Sequence, residues 1–240
     1  MVIVGLKTRK MESFLFLVVL LSGCFALEDN CKWKPSRDTS QGKTIIFPRE
    51  TATDNVILKH TVSKPLTQLT VCLRSFTELT RNYALFSLAT PGTGKDNTFL
   101  IFPTSPNTVS IYVNQEEFIF KVDPAALDWR HTCVAWDYET GLLQLNIDGK
   151  SYPRKVTKKG SPIGTEMSVI LGQEQDTFGG GFETAQSFIG EIREVHVWDW
   201  VLPPDAMKSF SHGYWFPHGN IFSWKDGTYE IKGGAVAVEY

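Results

Sequence analysis

Lysine and arginine are missing from the whole stretch between Lys159 and Arg193, and elsewhere they gather into no patch or stripe interleaved with aromatics. Without that footprint, no nucleic-acid-specific surface is expected. Histidine is scarce, and the five residues make no metal-ligand pair. There is no Gly-x-Ser-x-Gly, so the nucleophile elbow of a serine hydrolase is absent. No Asn-x-Ser/Thr acceptor occurs, and N-glycosylation is not expected. After Ala26 no long apolar run follows, which leaves no segment suited to crossing a bilayer as a helix.

The first residues have the make-up of an export signal. Lys7, Arg9 and Lys10 precede an apolar run, Phe14 to Leu21, too short to span a membrane, and Cys24-Phe25-Ala26 offers small residues to a signal peptidase. Residues 1–26 are read as a removable leader, with Met1 and Met11 both open as the initiator. The formal charge is −2, and loss of the basic leader takes it to about −4. The expected product is secreted and extracellular. About 214 residues remain, enough for one sizeable core or two small ones, and no linker, charge block or repeat divides them.

Short apolar runs alternate with polar positions between Gly, Pro, Asn and Asp. They are Thr44 to Phe47, Asn55 to Leu58, Leu69 to Leu73, Leu85 to Leu88, Phe99 to Phe102 and Val109 to Val113. Phe118 to Val122, Thr132 to Trp136, Leu142 to Ile147, Ser168 to Leu171 and Ile192 to Trp198 continue the series. Leu143, Leu145 and Ile147 share one face, Gln144 and Asn146 the other, and Asp148-Gly149 turns the chain. The pattern predicts an all-β sandwich or barrel. One short helix is expected after Pro203-Pro204-Asp205, ending near Gly213.

With Cys24 in the leader, Cys31, Cys72 and Cys133 remain. Cys72 and Cys133 both lie in apolar runs, and in an oxidising compartment such a pair could staple two strands, with a loop-closure effect of about 4 kcal/mol. Cys31 is left odd, open to pairing between chains or to standing as a surface thiol.

The most telling stretch runs from Gly172 to Gln186, GQEQDTFGGGFETAQ. Glu174, Gln175, Asp176, Glu183 and Gln186 all offer oxygen there, with no basic side chain to neutralise them. Packing them into a glycine-rich turn is unfavourable unless a cation sits among them. Hard cations such as calcium take roughly six to eight oxygens from flexible loops, whereas zinc would want His or Cys. The acidic residues do not follow the EF-hand spacing. A solvated acidic loop is the plainer alternative.

His131-Thr132-Cys133-Val134-Ala135-Trp136 resembles the pentraxin signature, His-x-Cys-x-Ser/Thr-Trp, with Ala135 departing from its hydroxyl position. Lys43 to Pro48, Leu69 to Leu73, Ile147 to Lys150, Ile170 to Asp176 and Val197 to Asp199 also look like the short pentraxin family. The resemblance covers residues 43–240, with 27–42 as an N-terminal segment. It implies a flattened, lectin-like antiparallel jelly roll of two sheets with one short helix, a Cys72–Cys133 disulfide and a homopentamer. It also implies two calcium ions per subunit, held by Asp96, Asn97, Glu174, Gln175, Asp176, Glu183 and Gln186. Beside the metals the family holds the amine end of a phosphorylated headgroup on an apolar contact and a distal acid, which Phe102 and Glu117 match. Tyr112 falls where some members carry a small residue and others a bulky one, which bears on the choice between phosphocholine and phosphoethanolamine.

The resemblance therefore implies a calcium-dependent recognition protein of innate immunity for phosphorylated small-molecule or lipid headgroups, with a glycan-binding lectin of an extracellular coat as the alternative. An enzyme is not expected. Glu174-x-Asp176 superficially fits a glycosidase motif, but Thr177, Phe178 and Gly179 stand where a third acid is needed. Asp148 matches an acid that some family members present to a complement component. The aromatic that should accompany it is replaced by Ser211, and a turn before Gly149 already accounts for Asp148.

Overall fold

A computed structural model of the chain describes residues 42–157, 161–214 and 217–239. The expected leader, the N-terminal segment up to residue 41 and Cys31 lie outside the described residues. In chain order the strands begin with β1 (Lys43–Phe47), β2 (Asn55–Leu58), β3 (Gln68–Phe76), β4 (Phe86–Ala89), β5 (Phe99–Ser105) and β6 (Thr108–Val113). They continue with β7 (Glu116–Lys121), β8 (Arg130–Asp137), β9 (Leu142–Ile147), β10 (Lys150–Ser151), β11 (Lys155–Val156) and β12 (Ser168–Leu171). A 3-10 turn, Thr184–Gln186, precedes β13 (Gly190–Trp198), and helix α1 (Pro204–Ser211) follows it. β14 (Phe222–Ser223), β15 (Tyr229–Lys232) and β16 (Val236–Glu239) complete the set. No helix among the described residues is long and apolar enough to cross a membrane.

The strands form two antiparallel sheets. The first runs β10-β9-β8-β3-β13-β1-β16, with β11 on β9 and β14 on β13; the second runs β15-β2-β12-β4-β5-β6-β7. This is the all-β, two-sheet jelly roll with one short helix that the sequence leads one to expect. Period-two alternation explains the layering. On β3, Leu69, Val71 and Leu73 enter the core between the sheets, while Cys72 faces out; on β5, Phe99 and Ile101 enter it, while Leu100 and Phe102 face out. Strands β14 to β16 escaped the pattern reading because two are edge strands whose residues are half-exposed or exposed and one is two residues long.

The two outer faces differ. On the first sheet, Cys72 stands directly opposite Cys133 across β3 and β8, and the two form a disulfide. Trp198, Leu202, Met207 and Phe210 cover it, so α1 packs its apolar side there. Arg74 ties that helix to a bulge in β13: its Nε donates to Glu194 Oε2 at 2.6 Å and its Nη2 to the carbonyls of Phe210 and Ser211. The bulge lies between Arg193 and His196, and Glu194 within it takes φ 53. On the same side, Asp148 and Gly149 both adopt positive φ, and Asp148 Oδ1 accepts from the His131 amide at 2.7 Å. Asp148 is thus a turn-former, as its position before glycine suggests. Asn146, on the polar face of β9, is nonetheless 1% exposed and donates to Ser151 Oγ.

Gly172, where β12 leaves the second sheet, sets the path of the acidic loop. Its φ is +83, and a Cβ built there would lie 2.3 Å from the ring of the buried Phe47. Its carbonyl accepts from the amide of Phe188, closing the base of the loop. Gly172→Ala should cost about 2–5 kcal/mol of stability, combining left-handed strain with overpacking. Gly94→Ala, at φ +66 with nothing within 4 Å of the added carbon, should cost only the strain, about 1–2 kcal/mol. Urea titrations of both variants compare the two; equal small losses would mean that Phe47 yields freely.

Candidate functional site

On the second sheet the outer face opposite the core carries the residues of interest. Leu100 and Phe102 cluster there with Ala84 and Tyr112. Strand register sets them in two rows: Leu100 opposite Tyr112 opposite Glu117, and Phe102 opposite Ser110 opposite Ile119. Ser110 Oγ donates to Glu117 Oε1 at 2.6 Å, and Tyr112, opposite Glu117 in the register, stands beside the same carboxylate. Burial, and then the Glu117 charge, hold the Tyr112 phenol above its usual range; Glu174 adds to this, which shows that the acidic loop lies alongside.

Three separate segments build the acidic set. Asp96 and Asn97 sit in the loop before β5, pinned by the β6–β7 hairpin: the amides of Asn114 and Gln115 donate to the carbonyls of Thr98 and Asn97. Both hairpin residues take positive φ, 49° and 71°, as a tight two-residue turn requires. Glu174, Gln175 and Asp176 follow Gly172. Glutamines alternate with acids here, and both glutamines turn inward. Gln173 Nε2 donates to the carbonyls of Thr51 and Asp54. Gln175 Nε2 donates to Ser87 and Ser168 while its Oε1 accepts from the Gly179 amide. Gln175 is therefore set apart from its neighbours: its side chain is committed to the sheet edge, which leaves its main-chain carbonyl as the oxygen it can present. Glu183 stands at the start of the Thr184–Gln186 turn, its carbonyl accepting from the Gln186 amide while its side chain makes no capping bond.

That turn is held from below by Arg81, whose Nη1 donates to the carbonyls of Asn82, Ala185 and Ser187 at 2.7, 3.1 and 2.8 Å. The Ala84 amide donates to the Gln186 carbonyl at 3.0 Å. Arg81 and Ser110 escaped the sequence reading. Nothing in Leu79-Thr80-Arg81-Asn82 marks Arg81, whereas Ser110 shares with Tyr112 the outward side of an alternating strand.

The electrostatics are unfavourable as they stand. Glu174 is 4% exposed. Burial, then Asp176, and to a lesser extent Asp96 and Glu183 push its carboxyl up to about 7, partly offset by a hydrogen bond from Asn97. Glu174 thus feels all three other acids of the set. Among the candidate ligands, three buried oxygens, Asn97 Oδ1, Glu174 Oε2 and Gln186 Oε1, have no hydrogen-bond partner, as is also true of Asn55 Oδ1, Asn146 Oδ1 and Gln173 Oε1 elsewhere; each ordinarily costs about 1–3 kcal/mol. One of the candidate-ligand oxygens comes from each of the three segments. Hard cations held between the segments could satisfy them, and the donor set, carboxylate and amide oxygens without nitrogen or sulfur, fits calcium. The acids are spaced more widely than a compact transition-metal site. Among the described residues, the one group of three such ligand atoms within 4.8 Å of one another is Cys72, His131 and Cys133, where the disulfide occupies both sulfurs.

Comparison with known proteins supplies the family. The model of the Pentaxin family matches residues 43–238. Jeltraxin of Lepidobatrachus laevis is 54% identical over 193 residues, 80% of this chain and 85% of that protein. C-reactive protein of Xenopus laevis is 50% identical over 225 residues, 94% and 90% of the two chains, and human C-reactive protein is 42% identical over 80% and 85%. Among solved structures, the heptameric SAP-like pentraxin of Limulus polyphemus superposes with a TM-score of 0.73 at 26% identity, covering 83% of this chain and 95% of that one. Matched from its first strand to its last, with the signature cysteines joined and the acidic segments brought together, the chain belongs to the pentaxin family.

Proposed function

We propose that this protein is a secreted, calcium-dependent pattern-recognition protein that binds phosphomonoester headgroups, and that it works as a closed ring of five copies rather than as an enzyme. The observation that carries the reading is the trio of buried, unpartnered oxygens on Asn97, Glu174 and Gln186, one from each acidic segment, with the Glu174 carboxyl pushed up to about 7. Asp96, Asn97, Glu174, Asp176, Glu183 and Gln186 would hold two calcium ions through side chains, and Gln175 through its carbonyl. Bound calcium supplies positive charge to which a phosphate oxygen can bind.

The rest of the site orients what the phosphate carries. Phe102 offers an apolar face, and Glu117 a negative charge held in place by Ser110. Tyr112 reaches across to the same carboxylate, so its ring narrows the hollow between Phe102 and Glu117. A primary ammonium is small and can donate to Glu117, whereas a trimethylammonium needs room and a face to pack on. The chain's own groups favour phosphoethanolamine over phosphocholine. A ring of copies would multiply weak single-site binding on a surface.

In chelator, limited proteolysis should cut between Glu174 and Gln186, and millimolar calcium should protect the loop. Glu183→Ala should abolish calcium-dependent capture on an immobilised phosphomonoester. Equal cleavage with and without calcium would overturn the metal reading.

Protons should compete with calcium at Glu174. With its carboxyl at about 7, apparent calcium affinity measured by calorimetry should be about tenfold weaker at pH 6 than at pH 8. Without calcium the sign reverses. A folded pKa above the ordinary 4.5 stabilises the fold fully below that value, and the contribution is lost as the pH rises through about 7. Glu174→Gln should flatten both profiles.

Headgroup choice is separable. Tyr112→Thr should raise phosphocholine affinity about tenfold, the scale set by admitting methyl groups to a pocket, and leave phosphoethanolamine nearly unchanged. A parent protein that already prefers phosphocholine tenfold would show that Tyr112 does not restrict the site.

A further inference from the structure

Two of the large apolar side chains that the fold leaves exposed stand at the edges of this face. Phe178 is 44% exposed and Ile119 is 52% exposed. Phe178 occupies the tip of the acidic loop, between the candidate ligands Asp176 and Glu183. Ile119 lies on β7 two residues beyond Glu117, so the two side chains project from the same side of the strand. One apolar group therefore borders the metal segments and the other borders the distal acid.

The Phe178 tip is built to hold its shape. Thr177 and Gly180 exchange backbone hydrogen bonds, N to O at 3.2 and 3.1 Å, in an isolated bridge. The Gly179 amide is fixed by Gln175 Oε1 at 2.9 Å. Gly179 and Gly181 take φ +79 and +75, and a Cβ on Gly181 would lie 2.9 Å from that of Asp176. The turn closes tightly on itself and presents the ring outward, where an aromatic side chain loses little conformational entropy on contact. Nothing basic lies between Lys159 and Arg193, so the loop brings no cation of its own to an anionic surface.

We propose that Phe178, supported by Ile119, docks this face onto a zwitterionic phospholipid bilayer, the ring entering the interfacial layer beside the headgroups that the site holds. This rests on the headgroup reading above and adds a second contact that soluble headgroups do not use. Aromatic rings favour the boundary between water and acyl chains, where they can bury apolar area. A half-exposed phenylalanine has enough area left to change affinity for a surface by roughly tenfold. Ile119 widens the apolar rim on the side away from the loop.

The test uses the mature oligomer, phosphatidylcholine–phosphatidylethanolamine vesicles and soluble phosphoethanolamine. Phe178→Ser should weaken calcium-dependent vesicle binding at least tenfold and leave soluble phosphoethanolamine affinity within about twofold. Phe178→Trp should gain emission that brominated acyl chains quench, over and above the parent, in calcium and not in chelator. The proposal is overturned if Phe178→Ser binds vesicles as tightly as the parent, including the case where it only changes the oligomeric state. It is likewise overturned if Phe178→Trp binds vesicles without added quenching, or if the parent binds the soluble headgroup but no vesicles. A parent that binds vesicles with the quenching signature but ignores soluble phosphoethanolamine would overturn the headgroup reading alone.

Discussion

Like charges confined near a buried carboxyl are the constraint on which the acidic face depends. Glu174 is kept out of water and within reach of Asp96, Asp176 and Glu183, an arrangement that would drive the loop apart if the surrounding structure did not hold it. The restraint comes from several directions. Gly172 fixes the exit from β12 against Phe47, Gln173 and Gln175 turn inward to anchor alternate residues, and Arg81 fastens the turn that carries Gln186. The glutamines use backbone carbonyls and a serine hydroxyl, and the Arg81 guanidinium bonds carbonyls and pairs with Glu50, outside the acidic set. Repulsion is thereby stored in the fold rather than cancelled by it, and a divalent cation is the natural means of relieving it.

The sandwich separates this face from the rest of the molecule. The first sheet buries its outer side under α1, with the disulfide, Trp198 and Phe210 forming a second small core. The second sheet carries a smaller buried cluster on its outer side, Ala84, Leu100 and Phe102, with the half-buried Tyr112 packed against it. Between them lies the main core, through which Cys72 and Phe102 are back to back only in the sense that each is the outward neighbour of inward-facing residues. Changes at the helix, such as those at the Arg74 contacts, therefore act on a different surface from changes at the candidate site.

Much of this was legible in the sequence because the physics was local. Alternation marked β1 to β9, β12 and β13 but not the two-residue β10 and β11, and Asn55–Leu58, Leu142–Ile147 and Ser168–Leu171 have the expected limits. Proline and glycine bracketed α1, and the acidic loop stood out by the absence of basic residues. Three things were not legible. The edge strands carry too little burial to impose a pattern. The bulge at Glu194 depends on Arg74, which is 120 residues distant. The inward turn of Gln175 depends on Ser87 and Ser168, and without those partners its amide is indistinguishable from that of Gln186. Composition singled out the loop's five oxygen-bearing side chains and pointed to calcium; family resemblance added Asp96 and Asn97 to the set.

The candidate ligands fall into unequal halves by exposure. Gln186 is tied to Ala84 in a turn that Arg81 fastens, and Glu174 is buried. Asp176 and Glu183 are exposed. The result is a rigid floor beneath an adjustable wall. A cation held there would meet two kinds of oxygen: buried ones, which would fix the size of ion that fits, and exposed carboxylates, which water can reach and replace.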